Sequence, residues 1–246
     1  METLTNIFSV LQLDAEDDQL QSPSPSSTSR NSGQTKQKEK SCSDAKLVKI
    51  EKKNKENSVN RLEYKMPLVW IDLEMTGLNI EVDRILEIAC IITDGKLTKS
   101  VEGPDLVIHQ SKECLDSMGE WCHSHHKASG LTQKVLLSTL SEREAEEQVI
   151  EFVNRNVGTY TPLLAGNSVY VDFLFLKKYM PDLASLFSHV LVDVSSVKAL
   201  CVRWYPRENR KAPSKENKHR ALDDIRESIA ELKYYKESIF RSKSKK

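Results

Sequence analysis

The stretch of sequence that decides the fold runs from Leu68 to Gly77 and reads LVWIDLEMTG. Residues 68–71 form an unbroken apolar run, which is typical of a strand buried on both faces. Asp72 and Glu74 follow two residues apart, so a strand that continues through them points both carboxylates to the same face. Two acids side by side at the end of a buried strand raise each other's pKa, and a bound Mg²⁺ or Mn²⁺ removes that cost. The pair alone is a weak signal, because two solvated carboxylates at a strand end are the commoner arrangement.

Length and composition restrict the class of protein. The 246 residues are enough for one domain with a sizeable core, or for one domain and a tail. The 36 basic and 36 acidic residues balance, so the net charge does not indicate a nucleic-acid partner and only local patches could bind one. The 5 cysteines are odd in number, widely spaced and without a C-x-x-C pair, which indicates reduced thiols rather than a disulfide framework.

The sequence predicts an intracellular protein with no membrane partner. No apolar run approaches the ~20 residues that a membrane-spanning helix needs, and the N-terminus lacks the basic and apolar regions of a secretory signal. The acidic residues at positions 14, 16, 17 and 18 fit a mitochondrial transit peptide badly, although the later serines and lysines fit it. Cytoplasm and mitochondria, one or both, therefore stay open as compartments.

The chain divides into a tail, a globular domain and a short basic end. Residues 1–64 contain a Ser/Pro-rich linker and a lysine-rich run of mixed charge with little apolar surface to bury, so we predict a disordered tail whose role stays open. Residues 65–240 have the composition of a globular domain, and residues 241–246 form a basic C-terminal tail.

Periodicity in the globular part predicts an α/β fold. The second strand is expected at residues 84–93, ending in an Asp94-Gly95 turn, and the third at residues 104–110. With the first strand they form an antiparallel meander, and two strand–helix units that begin at Leu163 and Leu191 add two parallel strands. We therefore expect one mixed five-stranded sheet, three antiparallel strands and then two parallel ones, flanked by helices.

Two helices carry clear apolar stripes. Residues 141–157 predict an amphipathic helix and residues 219–240 a long final helix, while residues 116–126 are expected to be helical or rich in turns. The expected buried stripes are Ala145, Val149, Phe152 and Val153 in the first helix and Leu222, Ile225, Ile229 and Leu232 in the second.

Further polar residues lie where this layout brings them near the two acids of the first strand. Asp172 follows the turn after the fourth strand and opens a helix, and Asp223 and Asp224 lie early in the final helix. The helix dipole also explains an acid at a helix start, and simple solvation explains an acid on a helix face. His219 precedes Asp224 by five residues, about 140° on an ideal helix, so both face one site only if His219 lies before the helix begins.

Four carboxylates and a histidine make chemical sense together. Two metal ions about 3.5–4 Å apart hold an attacking water and a leaving oxygen across a phosphodiester. Asp72 is placed to bridge both ions. Glu74 and Asp172 are placed to hold one each, and Asp224 completes the set. The imidazole of His219 can take the proton of the water at neutral pH.

The chain resembles the oligoribonuclease family of DEDDh 3′→5′ exonucleases in four motifs that occur in the family's order. They are WIDLEMTGL at 70–78, LLAGNSVYVDFLFLKKYMP at 163–181, DVSSVKALCVRWYP at 193–206 and HRALDDIRESI at 219–229. The resemblance covers about residues 66–240. It implies a ribonuclease H-like fold, a two-metal mechanism with Mg²⁺ or Mn²⁺, a homodimer, and short single-stranded RNA degraded to nucleoside 5′-monophosphates.

The resemblance also implies roles for single residues. It places the family's metal-binding acids on Asp72, Glu74, Asp172 and Asp224 and its general base on His219. The H-x-x-x-x-D pattern selects the second of the two neighbouring aspartates in the final helix.

Four further positions match substrate-binding residues of the family. Leu78 and Trp121 match its apolar wedge and its stacking residue, although packing in the core also explains a tryptophan. Ser168 and Ser195 match polar groups near the 5′ phosphate of the substrate.

The chain departs from the family at His189-Val190, where members carry Tyr-Arg, a pair that helps hold the 5′ end of a very short substrate. The metal site is intact, but the preferred length of substrate and the choice of RNA over DNA stay open. One alternative is an exonuclease of the same fold that acts on longer RNA or DNA. Another is a non-catalytic RNA-binding module whose lysine-rich tail contacts phosphates, although clustered acids repel phosphate and argue against it.

A zinc interpretation applies to a different part of the chain. The candidate ligands are Cys114, Cys122, His123, His125 and His126. Their spacing fits no common zinc module, so the acids of the first strand remain the preferred metal site.

Overall fold

The structure is a computed structural model, and it describes residues 64–214 and 220–240. The two predicted tails lie outside the described residues, apart from Tyr64 at the end of the N-terminal one. Within the described ranges, no helix is long and apolar enough to cross a membrane.

A mixed sheet forms the centre of the domain. Its strands are β1 (Leu68–Met75), β2 (Ile85–Thr93), β3 (Ser100–Val107), β4 (Leu163–Gly166) and β5 (Leu191–Asp193). Their order in space is β3-β2-β1-β4-β5. The β1–β2 and β2–β3 pairs are antiparallel, and the β1–β4 and β4–β5 pairs are parallel. The predicted sheet of three antiparallel and two parallel strands is confirmed.

Helices fill the connections and follow the last strand. In the described part of the chain they are α1 (Lys112–Asp116), α2 (Glu120–Ala128), α3 (Leu131–Leu137), α4 (Glu142–Val157), α5 (Tyr170–Tyr179), α6 (Pro181–Ala184), α7 (Val194–Trp204), α8 (Pro206–Asn209) and α9 (Ala221–Ser238). A capping box starts α4: the Ser141 hydroxyl accepts from the Glu144 N–H, and the Glu144 carboxylate accepts from the Ser141 N–H.

β1 supplies side chains to both faces of the core, because successive residues of a strand point to opposite sides of a sheet. Val69, Ile71 and Leu73 belong to a cluster that includes buried residues of α4, α5 and α6. Leu68 and Trp70 belong to the opposite cluster, which includes buried residues of α7 and α9. Both faces of β1 are therefore enclosed, as its apolar run predicts.

The third strand begins earlier than the sequence predicts. It starts at Ser100 rather than at Pro104 and runs through Gly103. An edge strand accommodates a proline because its missing N–H need not pair with a neighbour. A Cβ on Gly103 would lie 2.3 Å from the Phe152 ring, so a glycine that looks like a strand breaker is required by packing.

The buried stripe of α9 is rotated from the predicted one. Ile225, Ser228, Glu231 and Tyr235 are buried along its centre, while the other predicted stripe residues, Leu222, Ile229 and Leu232, are only partly buried. Polar groups occupy the centre because each has a partner. The Tyr235 hydroxyl donates to Glu231 Oε1 at 2.8 Å, and the Ser228 hydroxyl donates to the Asp224 carbonyl at 2.8 Å.

Tyr64 belongs to the hydrophobic core although it lies at the end of the predicted tail, and only 7% of its surface is exposed. We expect deletion of residues 1–63 to leave the free energy of unfolding of the domain unchanged. Tyr64→Ala in the shortened chain should lower it by about 2–4 kcal/mol, because a buried aromatic side chain is lost. Urea denaturation of the full and shortened chains measures both effects. Met66→Ala, at a position 77% exposed, is the control, and unfolding on deletion of residues 1–63 would show that the tail packs on the domain.

Candidate active site

Three carboxylates meet at the carboxyl end of β1. Asp72 and Glu74 leave β1 on one face, and Asp224 comes from the first turn of α9. One carboxylate oxygen from each lies within 4.8 Å of the others. Within residues 64–214 and 220–240, this is the one group of three acids, histidines or cysteines close enough to bind a metal ion.

Asp172 is attached to the same end of β1. It lies in the first turn of α5, and its Oδ1 accepts from the Leu73 backbone N–H at 3.0 Å. The parallel pairing of β1 with β4 ends at Trp70, so this N–H is available to the side chain from α5. Asp172 is therefore held between Asp72 and Glu74 along the strand, although it is not a member of the group of three.

The structure distinguishes the two neighbouring aspartates of α9. Asp224 joins the acids of β1, whereas Asp223 accepts from the Arg226 guanidinium at 2.8 Å. α9 begins at Ala221, which places the start of the helix after His219. His219 itself lies outside the described residues, so its role stays a prediction.

Gathering these acids is electrostatically costly without a cation. Burial raises the pKa of Glu74 to about 8, with further contributions from Asp224, Glu87 and Asp172, while Arg220 opposes the rise. Burial also raises the pKa of Asp172, which the hydrogen bond from Leu73 N–H opposes. A divalent cation reverses this repulsion, and carboxylate oxygens are the ligands that such cations prefer. The acids therefore fit a divalent metal site.

A histidine that the sequence assigned only to the zinc interpretation borders this site. His126 of α2 is buried, with Nε2 2.9 Å from the Met75 carbonyl oxygen and Nδ1 3.8 Å from Glu74 Oε2. No group of three potential metal ligands in the described part of the chain includes Cys114 or Cys122. The geometry therefore gives the zinc interpretation no support.

The two predicted base-binding residues lie on different elements. Trp121 of α2 is 42% exposed, and its ring stacks on that of His125 with centroids 3.9 Å apart. Leu78 is partly exposed in the loop that follows β1. The other explanation for Trp121, packing in the core, is wrong, because this residue lies on the surface and is not among the buried residues of the core.

The structure brings the two predicted serines together. Ser168, in left-handed conformation with φ of 48°, lies before α5, and its hydroxyl is 3.2 Å from the Ser195 hydroxyl in the first turn of α7. Asp193 Oδ1 accepts from the backbone N–H of both, at 3.0 Å and 2.9 Å. Sequence reasoning missed Asp193, although an aspartate just before a predicted helix is a typical N-cap.

Comparison with known proteins shows the family of the chain. A family model described as an exonuclease matches residues 69–232. An oligoribonuclease of Arabidopsis thaliana is 62% identical over 243 residues, which cover 99% of this chain and 100% of that protein. A mitochondrial oligoribonuclease of Homo sapiens is 51% identical over 72% of this chain and 74% of its own length. An oligoribonuclease of Pasteurella multocida is 50% identical over 73% of this chain and 97% of its own length.

Solved structures share the fold. A zinc-bound complex of Escherichia coli exonuclease I with single-stranded DNA superposes with a TM-score of 0.56 at 15% identity, over 72% of this chain. An exonuclease I from Methylocaldum szegediense gives a TM-score of 0.53 at 19% identity. The chain spans about two fifths of the length of these exonucleases, 42% and 41%. They establish the ribonuclease H-like architecture that the sequence resemblance implies.

The raised pKa of Glu74 predicts how the stability of the metal-free protein depends on pH. The folded state favours the protonated form of Glu74. The contribution of Glu74 to the free energy of unfolding is therefore complete below about pH 4.5 and is lost as the pH rises through about 8. Excess Mn²⁺ should restore stability most at the higher pH, since metals bind ionised acids. Thermal unfolding from about pH 5 to 9, with EDTA or with Mn²⁺, measures both trends. Glu74→Gln should make both trends shallower without removing them, because Asp172, whose pKa is also raised, contributes in the same direction, and metal-free stability that rises over this range would contradict the assignment.

Proposed function

The chain belongs to the oligoribonuclease family of exonucleases, and from that premise we propose a 3′→5′ exoribonuclease that degrades short oligoribonucleotides to nucleoside 5′-monophosphates with two divalent ions. The observation that carries the proposal is the meeting of Asp72, Glu74 and Asp224 within 4.8 Å, in a chain that aligns with an oligoribonuclease over its whole length. Mg²⁺ and Mn²⁺ are the proposed ions, because both take oxygen ligands.

The acids divide the binding of the ions among them. We propose that Asp72, the first acid after the buried run of β1, would contact both ions and that Asp224 would complete the set; the distances among the three acids are compatible with this but do not by themselves distinguish Asp72. Glu74 and Asp172 would hold one ion each, and Asp172 is attached to β1 through the N–H of Leu73. Two ions bound there would supply the charge that activates a water and stabilises the leaving oxygen of a phosphodiester.

His219 is the proposed general base. It stands two residues before the start of α9, and Asp224 lies in the first turn of that helix. An unperturbed imidazole titrates at about pH 6.5, so near neutral pH it can accept a proton from water and later release it.

The serine pair supports the assignment of a 5′-phosphate contact. Ser195 Oγ accepts from both the backbone N–H and the hydroxyl of Ser168, at 3.1 Å and 3.2 Å. The hydroxyl proton of Ser195 is then directed to another acceptor, and a phosphate oxygen is a suitable one. Leu78 and the exposed face of Trp121 are the proposed contacts to the bases, through apolar packing and stacking.

Exposed apolar side chains support the proposed homodimer. On α5, Tyr170 and Leu174 are 49% and 37% exposed, and on α7, Leu200 and Trp204 are 42% and 65% exposed. Each pair is four residues apart and therefore shares a helix face. Exposed apolar pairs on a helix face are candidates for contact surfaces, and a second copy of the chain is the occupant that the family relation favours.

The position of His189-Val190, taken with the family resemblance, also favours a dimer. Both residues are exposed before the first residue of β5, whereas Ser195 follows its last residue, Asp193. The length of the strand, about 10 Å for three residues, separates them within one chain. The family resemblance assigns this position and the serines to one 5′ end, and we propose that a second copy of the chain brings them together.

One observation favours each of the two alternative functions. Val190 is 47% exposed and offers no charged or hydrogen-bonding side chain, which favours an exonuclease of the same fold with a weaker limit on substrate length, or one that accepts DNA. The lysine-rich tail favours a non-catalytic RNA-binding module, but a module gains nothing from acids that repel phosphate. The compartment, cytoplasmic or mitochondrial, stays a prediction.

Digestion of labelled RNAs from two to about twenty nucleotides, with Mg²⁺ or Mn²⁺, tests the proposal. The shortest RNAs fill a single catalytic site, whereas the longest would also occupy a longer groove for single strands. The wild type should act fastest on the shortest RNAs. Asp72→Asn should abolish turnover while its unfolding midpoint stays near that of the wild type, because a ligand charge is lost. Asp223→Asn, which changes the neighbour that pairs with Arg226, is the matched control and should retain activity. Wild-type turnover of Asp72→Asn at saturating Mg²⁺ would falsify the metal assignment.

The departure from Tyr-Arg predicts a shallow preference for short substrates. A charged guanidinium makes a forked, charge-assisted contact with phosphate, whereas serine hydroxyls make weaker neutral ones. We expect His189→Tyr combined with Val190→Arg to raise kcat/KM for dinucleotides relative to long RNA, and His189→Tyr alone to change it less. The ratio of kcat/KM across the length series measures this. An unchanged length profile in the double variant would mean that other residues close the 5′ end.

A further inference from the structure

Glu87 is a carboxylate that the proposed mechanism does not use, although it lies directly opposite Glu74. The two residues pair across β1 and β2 in antiparallel register, so their side chains share one face of the sheet. Glu87 is fully buried. A buried carboxylate is costly, and a like charge opposite it adds to the cost. The structure offsets both through the first residues of α9.

Glu87 holds the N-terminus of α9, whose N-cap residue, Arg220, makes no side-chain capping hydrogen bond. The guanidinium of Arg220 donates to both Glu87 oxygens, from Nε at 3.2 Å to each and from Nη2 at 2.6 Å to Oε1. The backbone N–H of Ala221 donates to Glu87 Oε2 at 3.4 Å. A carboxylate at this point accepts from a helix N–H that has no partner within the helix, and it lies at the positive end of the helix dipole.

One hydrogen-bonded turn connects this anchor to the metal site. The Asp224 N–H donates to the Arg220 carbonyl at 3.0 Å. The Asp224 carboxylate then lies within 4.8 Å of those of Asp72 and Glu74. Glu74 of β1 and Glu87 of β2 therefore lie directly opposite each other. Glu87 is bound to the start of α9, and Glu74 lies beside the first turn of that helix.

We propose that Glu87 and Arg220 are positioning residues for the metal site, because their ion pair, in which Glu87 is buried and Arg220 is partly exposed, fixes the rotation of the first turn of α9 and so brings Asp224 to Asp72 and Glu74. The inference rests on the proposed function, since it takes these three acids as metal ligands. A two-pronged guanidinium–carboxylate contact is directional, whereas the apolar stripe of a helix alone restrains its rotation less. The geometry of the pair, and not only its charge, is therefore what the site requires.

α9 carries a second arginine pair that serves as a matched control. Arg226 donates to both oxygens of Glu102 on β3, at 2.9 Å and 2.8 Å, so it also joins this helix to the sheet through a forked contact. The side chains of Arg226 and Glu102 are 46% and 52% exposed. Glu102 lies opposite Ile91 rather than opposite a proposed metal ligand. Exposed pairs of this kind contribute little to stability.

Calorimetric titration with Mn²⁺ and steady-state hydrolysis of a short RNA test the inference. Glu87→Gln and Arg220→Lys should each weaken Mn²⁺ binding and lower kcat by about 10–100-fold, the range expected when a residue that orients a metal ligand is changed. KM should stay within about twofold, since neither residue is assigned a substrate contact, and Glu102→Gln should behave as the wild type. Glu87→Gln added to Asp224→Asn should weaken Mn²⁺ binding no further, because both act on one ligand, whereas a general loss of stability would add.

The outcomes separate the inference from the proposed function. Wild-type Mn²⁺ affinity and kcat in both Glu87→Gln and Arg220→Lys would overturn the inference and leave the proposed function intact. Mn²⁺ binding by Asp72→Asn as tight as that of the wild type would overturn the proposed function and the inference together. If circular dichroism shows that Glu87→Gln does not fold, the same measurements on Arg220→Lys decide, because that variant keeps the positive charge and removes only the forked contact.

Discussion

Repulsion among carboxylates at the carboxyl end of β1 is the constraint on which the rest of the structure depends. One carboxylate oxygen each of Asp72, Glu74 and Asp224 lies within 4.8 Å of the others, and burial raises the pKa of Glu74 to about 8. A fold selected for stability alone has no reason to collect such groups, since replacing them with neutral residues would remove the cost. The arrangement is explained by the binding of divalent cations, whose charge turns the repulsion into attraction.

Each element around the site brings an acid to β1 or fixes one there. β1 is buried on both faces, so its backbone is a rigid support for the two acids at its end. α5 attaches Asp172 through the N–H of Leu73, which the short pairing with β4 leaves available. α9 adds Asp224, and its N-terminus is bound by Glu87 of β2. The site is thus assembled from three directions on one central strand.

Much of this could be predicted from the sequence, because periodicity reports which face of an element is buried. The apolar run before Asp72 predicts β1, and the sheet follows from three strands and two strand–helix units. The start of β3 could not be predicted, since Gly103 is required by the Phe152 ring, a contact distant in sequence. Polar groups that are buried because they have partners, as in the stripe of α9, are likewise invisible to a hydropathy pattern.

The candidate site shows the same limit. Spacing identifies Asp72 and Glu74, but it does not distinguish Asp223 from Asp224; the family pattern selects Asp224, and the structure brings that residue to β1. The pair of Glu87 with Arg220 joins residues 133 positions apart, and no local signal reports it. In the sequence, the one sign of this ion pair is the single glutamate within the apolar run of β2.

Diffraction from crystals grown with Mn²⁺ and a nucleoside 5′-monophosphate, collected where manganese scatters anomalously, tests the central claim most directly. The account predicts two anomalous peaks about 3.5–4 Å apart, with Asp72 between them and Glu74, Asp172 and Asp224 as further ligands. Peaks that are absent from Asp72, or bound by residues outside this set, would contradict it.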